Sequence, residues 1–278
     1  MPARTHGGYN MAKKALLVVS FGSTHEDTIK DTITAAERDL ALAFPDRQLY
    51  TAWTSRFIRK TMEARDRHID SPAEAIERME LAGVTDVLVQ PTLITANYEY
   101  LDLLEVLKAA RGRFERIACG TPVITDEKDA ADLAAALRRI FPLKDWDALV
   151  LMGHGTAPEK LPEGMEADRP YRMLQEALDA GGSEYGGACI VGILESEGGI
   201  EAVCEEVRDL SPSRVVLAPL LVTAGDHAVN DMSGEGEDSW KNMLRRIVPR
   251  VDCVVKGLAE YETFRRLYVE HAKAAKEL

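Results

Sequence analysis

One stretch of this chain is written twice. Residues 16–24 read LLVVSFGST and residues 148–156 read ALVLMGHGT; residues 86–96 read DVLVQPTLITA and residues 214–224 read RVVLAPLLVTA. Each copy is an apolar run that ends in a loop. The runs are apolar on both faces, which suits strands covered by helices on either side. A repeated strand–loop unit of this kind narrows the fold to two similar halves built from parallel sheets.

The rest of the chain fits that frame. In the first half strands are expected at 15–20, 48–53, 86–91 and 115–120, with helices over 26–44, 73–82 and 99–112. In the second half strands are expected at 147–152, 188–194, 214–219 and 251–257, with helices over 170–180, 198–210 and 238–247. A helix over 131–140 leads out of the first half, and a helix over 260–278 closes the chain. The expectation is an α/β protein of two similar domains, each a four-stranded parallel sheet flanked by helices. Their junction is placed near Phe141-Pro142-Leu143, which gives domains of 11–142 and 143–278 with the active site in the cleft between them.

Composition excludes some functions. A formal net charge of −12 argues against nucleic-acid binding, which needs a basic face. It leaves room for a local basic patch. Cys119, Cys189, Cys204 and Cys253 show no CxxC or zinc-finger spacing and read as reduced packing residues, as in a cytoplasmic protein. The first apolar run is too short to span a bilayer, so no membrane segment is expected. Residues 1–10 are polar and patternless, and Met11 is an alternative start.

In sheets of this type ligands bind beyond the carboxyl ends of the strands. Three such loops in the second half carry chemistry. Gly153-His154-Gly155-Thr156 sets an imidazole between two glycines. Glu195 follows the apolar run Gly192-Ile193-Leu194. Asp226, His227, Asn230 and Asp231 crowd the loop after the third strand. Taken singly, each has a structural reading: a turn, a helix-start charge, or an Asx-turn with an N-cap. Together, two imidazoles and a carboxylate at the strand ends of one sheet suit a divalent transition metal with open positions. In the first half the corresponding positions hold Gly22 and Glu99.

The first half offers cations instead. Arg56, Arg59 and Lys60 follow its second strand, where a helix start and bidentate arginines can hold carboxylates or phosphates. Ser20 and Phe21 lie on the same rim. His25 is a peripheral site candidate, whereas His6, His68 and His271 read as solvated. Ser233–Asp238 reads as a flexible acidic cover for the cleft. No Walker motif or GxGxxG is present, which argues against a nucleotide cofactor.

The runs KKALLVVSFGST, TSRFIRK, LVLMGHGT, VGILES, AGDHAVNDM and GEDSWK resemble the class II tetrapyrrole chelatases, most closely the anaerobic-type sirohydrochlorin cobaltochelatases. That resemblance implies insertion of Co²⁺ into sirohydrochlorin, an early step of anaerobic cobalamin biosynthesis, with sirohydrochlorin and a divalent metal ion as partners. It implies His154 and His227 as catalytic and metal-binding residues and Glu195 as a third metal ligand. The substrate rim would be Ser20, Phe21, Arg56, Arg59 and Lys60. A homo-oligomer is one expectation for such a chain. The family tends to carry a histidine after the third strand of its first half, and this chain has Leu93 there, so haem ligation at that position is not expected. Two alternatives stay open: Fe²⁺ insertion for sirohaem, and a non-catalytic tetrapyrrole or metal carrier. Imidazole and carboxylate accept Co²⁺ and Fe²⁺ alike.

Overall fold

A computed structural model of the chain describes residues 12–181, 186–196 and 199–278. His6, Met11 and the patternless residues 1–10 lie outside that range. Two sheets carry the fold. The first uses β1 (Lys14–Ser20), β2 (Gln48–Trp53), β3 (Asp86–Pro91) and β4 (Arg116–Cys119) in the order β2-β1-β3-β4. The second uses β5 (Asp147–Gly153), β6 (Ala188–Ile193), β7 (Arg214–Leu220) and β8 (Val251–Cys253) in the order β6-β5-β7-β8. Both follow one plan, second-first-third-fourth, with every pairing among these eight strands parallel. The duplicated sequence is therefore a duplicated topology.

The expected terminal helix over 260–278 is corrected. The helix is Glu262–Lys273, and the chain then turns into a short strand, Lys276–Glu277, antiparallel to β4. The first sheet thus has five strands, the second four. Ala-Ala-Lys-Glu is a good helix sequence, so periodicity alone continues the helix to the end. Long-range pairing decides otherwise: Leu278 N–H donates to the Ile117 carbonyl at 3.1 Å, and its side chain packs on the outer core of the first sheet. The helix before it is fixed by Arg265, whose Nε donates to Asp39 at 2.6 Å.

His271 on that helix is largely covered rather than solvated. Its Nδ1 is 2.6 Å from the Thr121 hydroxyl and its Nε2 is 3.5 Å from Asp129. It ties the closing helix to the loop after β4. The helix Glu127–Ile140 and the closing helix also fill the space between the sheets. Leu16, Val18 and Leu88 of the first sheet and Leu149, Leu151 and Val216 of the second belong to one continuous core, together with Leu133, Leu137, Phe264 and Tyr268. Each sheet packs its other face on its own cluster. A shared core holds the two rims at a fixed spacing.

All four cysteines are free thiols, Cys119 and Cys204 fully buried. Leu93 is buried in the first half. Among the described residues no helix is long and apolar enough to cross a membrane.

Candidate metal centre

The strand order explains why two histidines 73 residues apart meet. In each sheet the first strand lies between the second and the third. The connections leaving the first and third strands run to opposite sides, which opens a crevice between their loops. His154 follows β5 and His227 follows β7, so both project into the crevice of the second sheet.

Gly155 makes the turn after His154 with φ of +89°, a conformation that favours glycine. A Cβ there would stand 2.6 Å from Ile193. The Gly155 N–H donates to the Tyr171 hydroxyl at 3.0 Å. Burial pushes that phenol up to about 12, so it stays neutral. In the first sheet the same turn is made one position earlier in register, at Gly22 with φ of +107°. A Cβ at Gly22 would lie 2.7 Å from the Trp53 ring, so position 22 has no room for an imidazole.

The two imidazoles form a pair. Their Nε2 atoms are 3.2 Å apart, and the rings meet edge to face at 82°. His154 Nδ1 lies 3.1 Å from the Gly155 carbonyl oxygen and 3.7 Å from a Glu195 carboxylate oxygen. His227 Nδ1 lies 2.8 Å from Asp231. Asp231 is four residues on, within a π-helical turn (His227–Met232) that brings the carboxylate back beside the ring. Both Nδ1 atoms face acceptors, and in the tautomer with the proton on Nδ1 each ring donates there. Both Nε2 atoms then turn a lone pair toward one point. Two lone pairs 3.2 Å apart repel unless a cation stands between them. Two nitrogens bound to a first-row divalent ion at about 2.0–2.1 Å in tetrahedral geometry are about 3.3 Å apart.

Glu195 sits at the Nδ1 edge of His154, away from the Nε2 pair. Among the described residues no group of three His, Cys, Asp or Glu side chains is arranged to hold a metal. The described centre is thus a two-histidine site with an acidic support behind each ring. Asp231 belongs to it although its spacing suggested only a turn; the i,i+4 relation to His227 was the signal for a supporting carboxylate.

The facing wall comes from the first half. Ser20 is buried, and its hydroxyl is 2.7 Å from that of Thr92, so it offers nothing to a ligand. Phe21 is half-exposed. Arg59 turns to Glu74 at 3.5 Å and is mostly covered. Arg56 and Lys60 are exposed and make no ion pair among the described residues, on a helix (Arg56–Glu63) capped by Ser55. His25 reaches across to Asp226 at 3.5 Å. The segment Ser233–Asp238 is tied down rather than loose: Lys241 binds Glu235 at 2.7 Å, and the Asn242 amide donates to the Glu235 and Gly236 carbonyls.

Glu99, which sequence reasoning passed over as the mere counterpart of His227, opens the helix Tyr98–Ala109 and is buried. Burial pushes its carboxyl up to about 7; Asp102 adds to the rise, and the Thr54 hydroxyl and Lys160 oppose it. A carboxyl that titrates near neutrality beside a cleft is suited to accept protons.

Comparisons with known proteins give the family and the fold. The family model described as cobalt chelatase (CbiK) matches residues 14–277. A sirohydrochlorin cobaltochelatase of Salmonella typhimurium is 34% identical over 265 residues, covering 95% of this chain and 96% of the relative. The sirohydrochlorin cobaltochelatase CbiKC of Nitratidesulfovibrio vulgaris is 30% identical over 269 residues, 95% of this chain and 91% of the relative. Among solved structures, SirB from Bacillus subtilis with Fe³⁺ shares the fold at a TM-score of 0.63 and 16% identity, covering 94% of each chain.

Proposed function

Since the chain belongs to the cobalt chelatase family, we propose that it inserts Co²⁺ into sirohydrochlorin, an early step of anaerobic cobalamin biosynthesis. The observation that carries the reading is the His154–His227 pair, with both Nε2 lone pairs aimed at one point and both Nδ1 atoms held by acceptors.

Two imidazoles grip a first-row ion more loosely than thiolates do and leave its other positions to the macrocycle nitrogens. Glu195 and Asp231 balance the cation's charge through the rings they support. As Co²⁺ enters, two pyrrolic N–H protons leave. Glu99 is the group on the facing wall able to accept one near neutral pH, and the histidines can take a proton once the metal has moved on. The substrate is a polycarboxylate, and the unpaired Arg56 and Lys60 hold its rim, with Phe21 beside them.

The test is a competition assay: purified protein, sirohydrochlorin, and equal Co²⁺ and Fe²⁺, followed by product absorbance. Cobalt product in molar excess over protein supports the reading. Iron product in excess moves the activity to sirohaem formation, and product that stops at one per chain makes the protein a carrier.

Glu99 adds a pH signature. Its folded value of about 7 stands above the ordinary 4.5. The fold therefore favours the protonated carboxyl, and this contribution to stability is full below about pH 4.5 and lost as pH rises through about 7. The base is ionised only above that window, so turnover rises where stability falls. Glu99→Gln is expected to flatten both curves and to lower kcat by about 100-fold. Tm and kcat measured between about pH 5 and 8 decide it; a variant that keeps the wild-type rise of kcat with pH removes Glu99 from proton transfer.

A further inference from the structure

The wall that carries the histidines is acidic. Glu159, Glu163 and Glu166 follow His154 in its own loop, and Glu195 and Asp231 stand behind the rings. A polycarboxylate approaching that wall needs a local cation. Two of the nearby cations are spoken for, Arg169 by Glu127 at 3.5 Å and Arg172 by Glu166. Lys160 is different. It ends the short turn Pro158–Lys160, six residues beyond His154, is exposed, and makes no ion pair among the described residues. Its Nζ stands 5.1 Å from the centroid of the Tyr98 ring, on the helix start of the facing half. An aromatic face holds an ammonium in place without neutralising it, and leaves its donors free for a stronger acceptor.

We infer that Lys160 is a substrate-positioning residue, anchoring one peripheral carboxylate of the tetrapyrrole on the histidine wall, opposite the Arg56 and Lys60 rim. The inference rests on the reading of the chain as a sirohydrochlorin chelatase. It gives the substrate an anchor on each side of the metal. Because Lys160 is steered by Tyr98, its ammonium also marks where the two walls come together.

The experiment joins metal-free binding of sirohydrochlorin, read by tryptophan fluorescence, to steady-state Co²⁺ insertion. Lys160→Met keeps the aliphatic stem over Tyr98 and removes the charge. It is expected to raise both the Kd and the KM for the tetrapyrrole about tenfold, leaving the KM for Co²⁺ within about twofold. Lys160→Arg restores tetrapyrrole binding, Lys160→Glu is weaker than Lys160→Met, and the wild-type affinity depends more steeply on ionic strength than that of Lys160→Met. Wild-type affinity in Lys160→Met overturns the inference, and so does a Lys160→Arg variant no better than Lys160→Met, which would leave only a packing role. Wild-type protein that binds sirohydrochlorin yet gives no metallated product overturns the chelatase reading, while the binding arm still decides Lys160. Wild-type protein that does not bind sirohydrochlorin overturns both.

Discussion

Replacing either His154 or His227 by alanine is expected to lower the rate of Co²⁺ insertion by more than about 100-fold, because loss of a supporting partner alone costs a metal site about 10- to 100-fold. The two substitutions should cost the same. Each Nε2 supplies half of a two-point grip 3.2 Å across, and one imidazole alone competes poorly with water for the ion. The double variant should then be little worse than either single one, because residues that act as a unit lose their effect together. Stability is not at stake: both side chains are partly exposed, at 40% and 45%, and outside the packed clusters. The measurements are single-turnover metallation of sirohydrochlorin and a thermal melt. A single variant that metallates at the wild-type rate would remove that histidine from the centre, and additive losses would mean that the rings act separately.

The sequence disclosed the pair because the fold is duplicated. Two copies of one strand–loop unit imply two equivalent crevices, and residues placed differently in the copies mark the active one. The duplication singles out His154 and His227, which the structure brings together at 3.2 Å. It does not show Asp231's role, because an Asp four residues after a His reads equally as a turn or cap; only the π-helical turn brings the carboxylate to Nδ1. Glu195 lies in the loop after β6, and its carboxylate meets the far edge of the His154 ring. Arg59 and Ser20 were read as rim residues from their position after strands. Each had a neighbour that sequence could not show, Glu74 for one and Thr92 for the other. His271 and the closing strand failed for a related reason: both are fixed by contacts with β4 and its loop, more than 150 residues away in the chain for the strand and about as far for the histidine. Periodicity reports which face is apolar; it does not report who arrives from the other end of the chain.

Asp231 permits a finer test of how the pair is prepared for metal. A neutral imidazole carries one proton, on Nδ1 or on Nε2. Asp231, 2.8 Å from His227 Nδ1, holds the proton there and leaves Nε2 open. Without it the proton can move to Nε2, where His154 Nε2 waits at hydrogen-bond distance. The pair would then close on itself through an N–H···N bond, with a proton where the metal belongs. Asp231→Ala is therefore expected to raise the KM for Co²⁺ about 10- to 100-fold while the KM for the tetrapyrrole stays within about twofold. Asp231→Asn can still accept the Nδ1 proton through its amide oxygen, so it should recover most of the loss. If the asparagine variant is as impaired as the alanine one, the negative charge matters and the tautomer does not. If neither variant changes the KM for Co²⁺, Asp231 is a turn residue, and the lone pairs at 3.2 Å need another explanation.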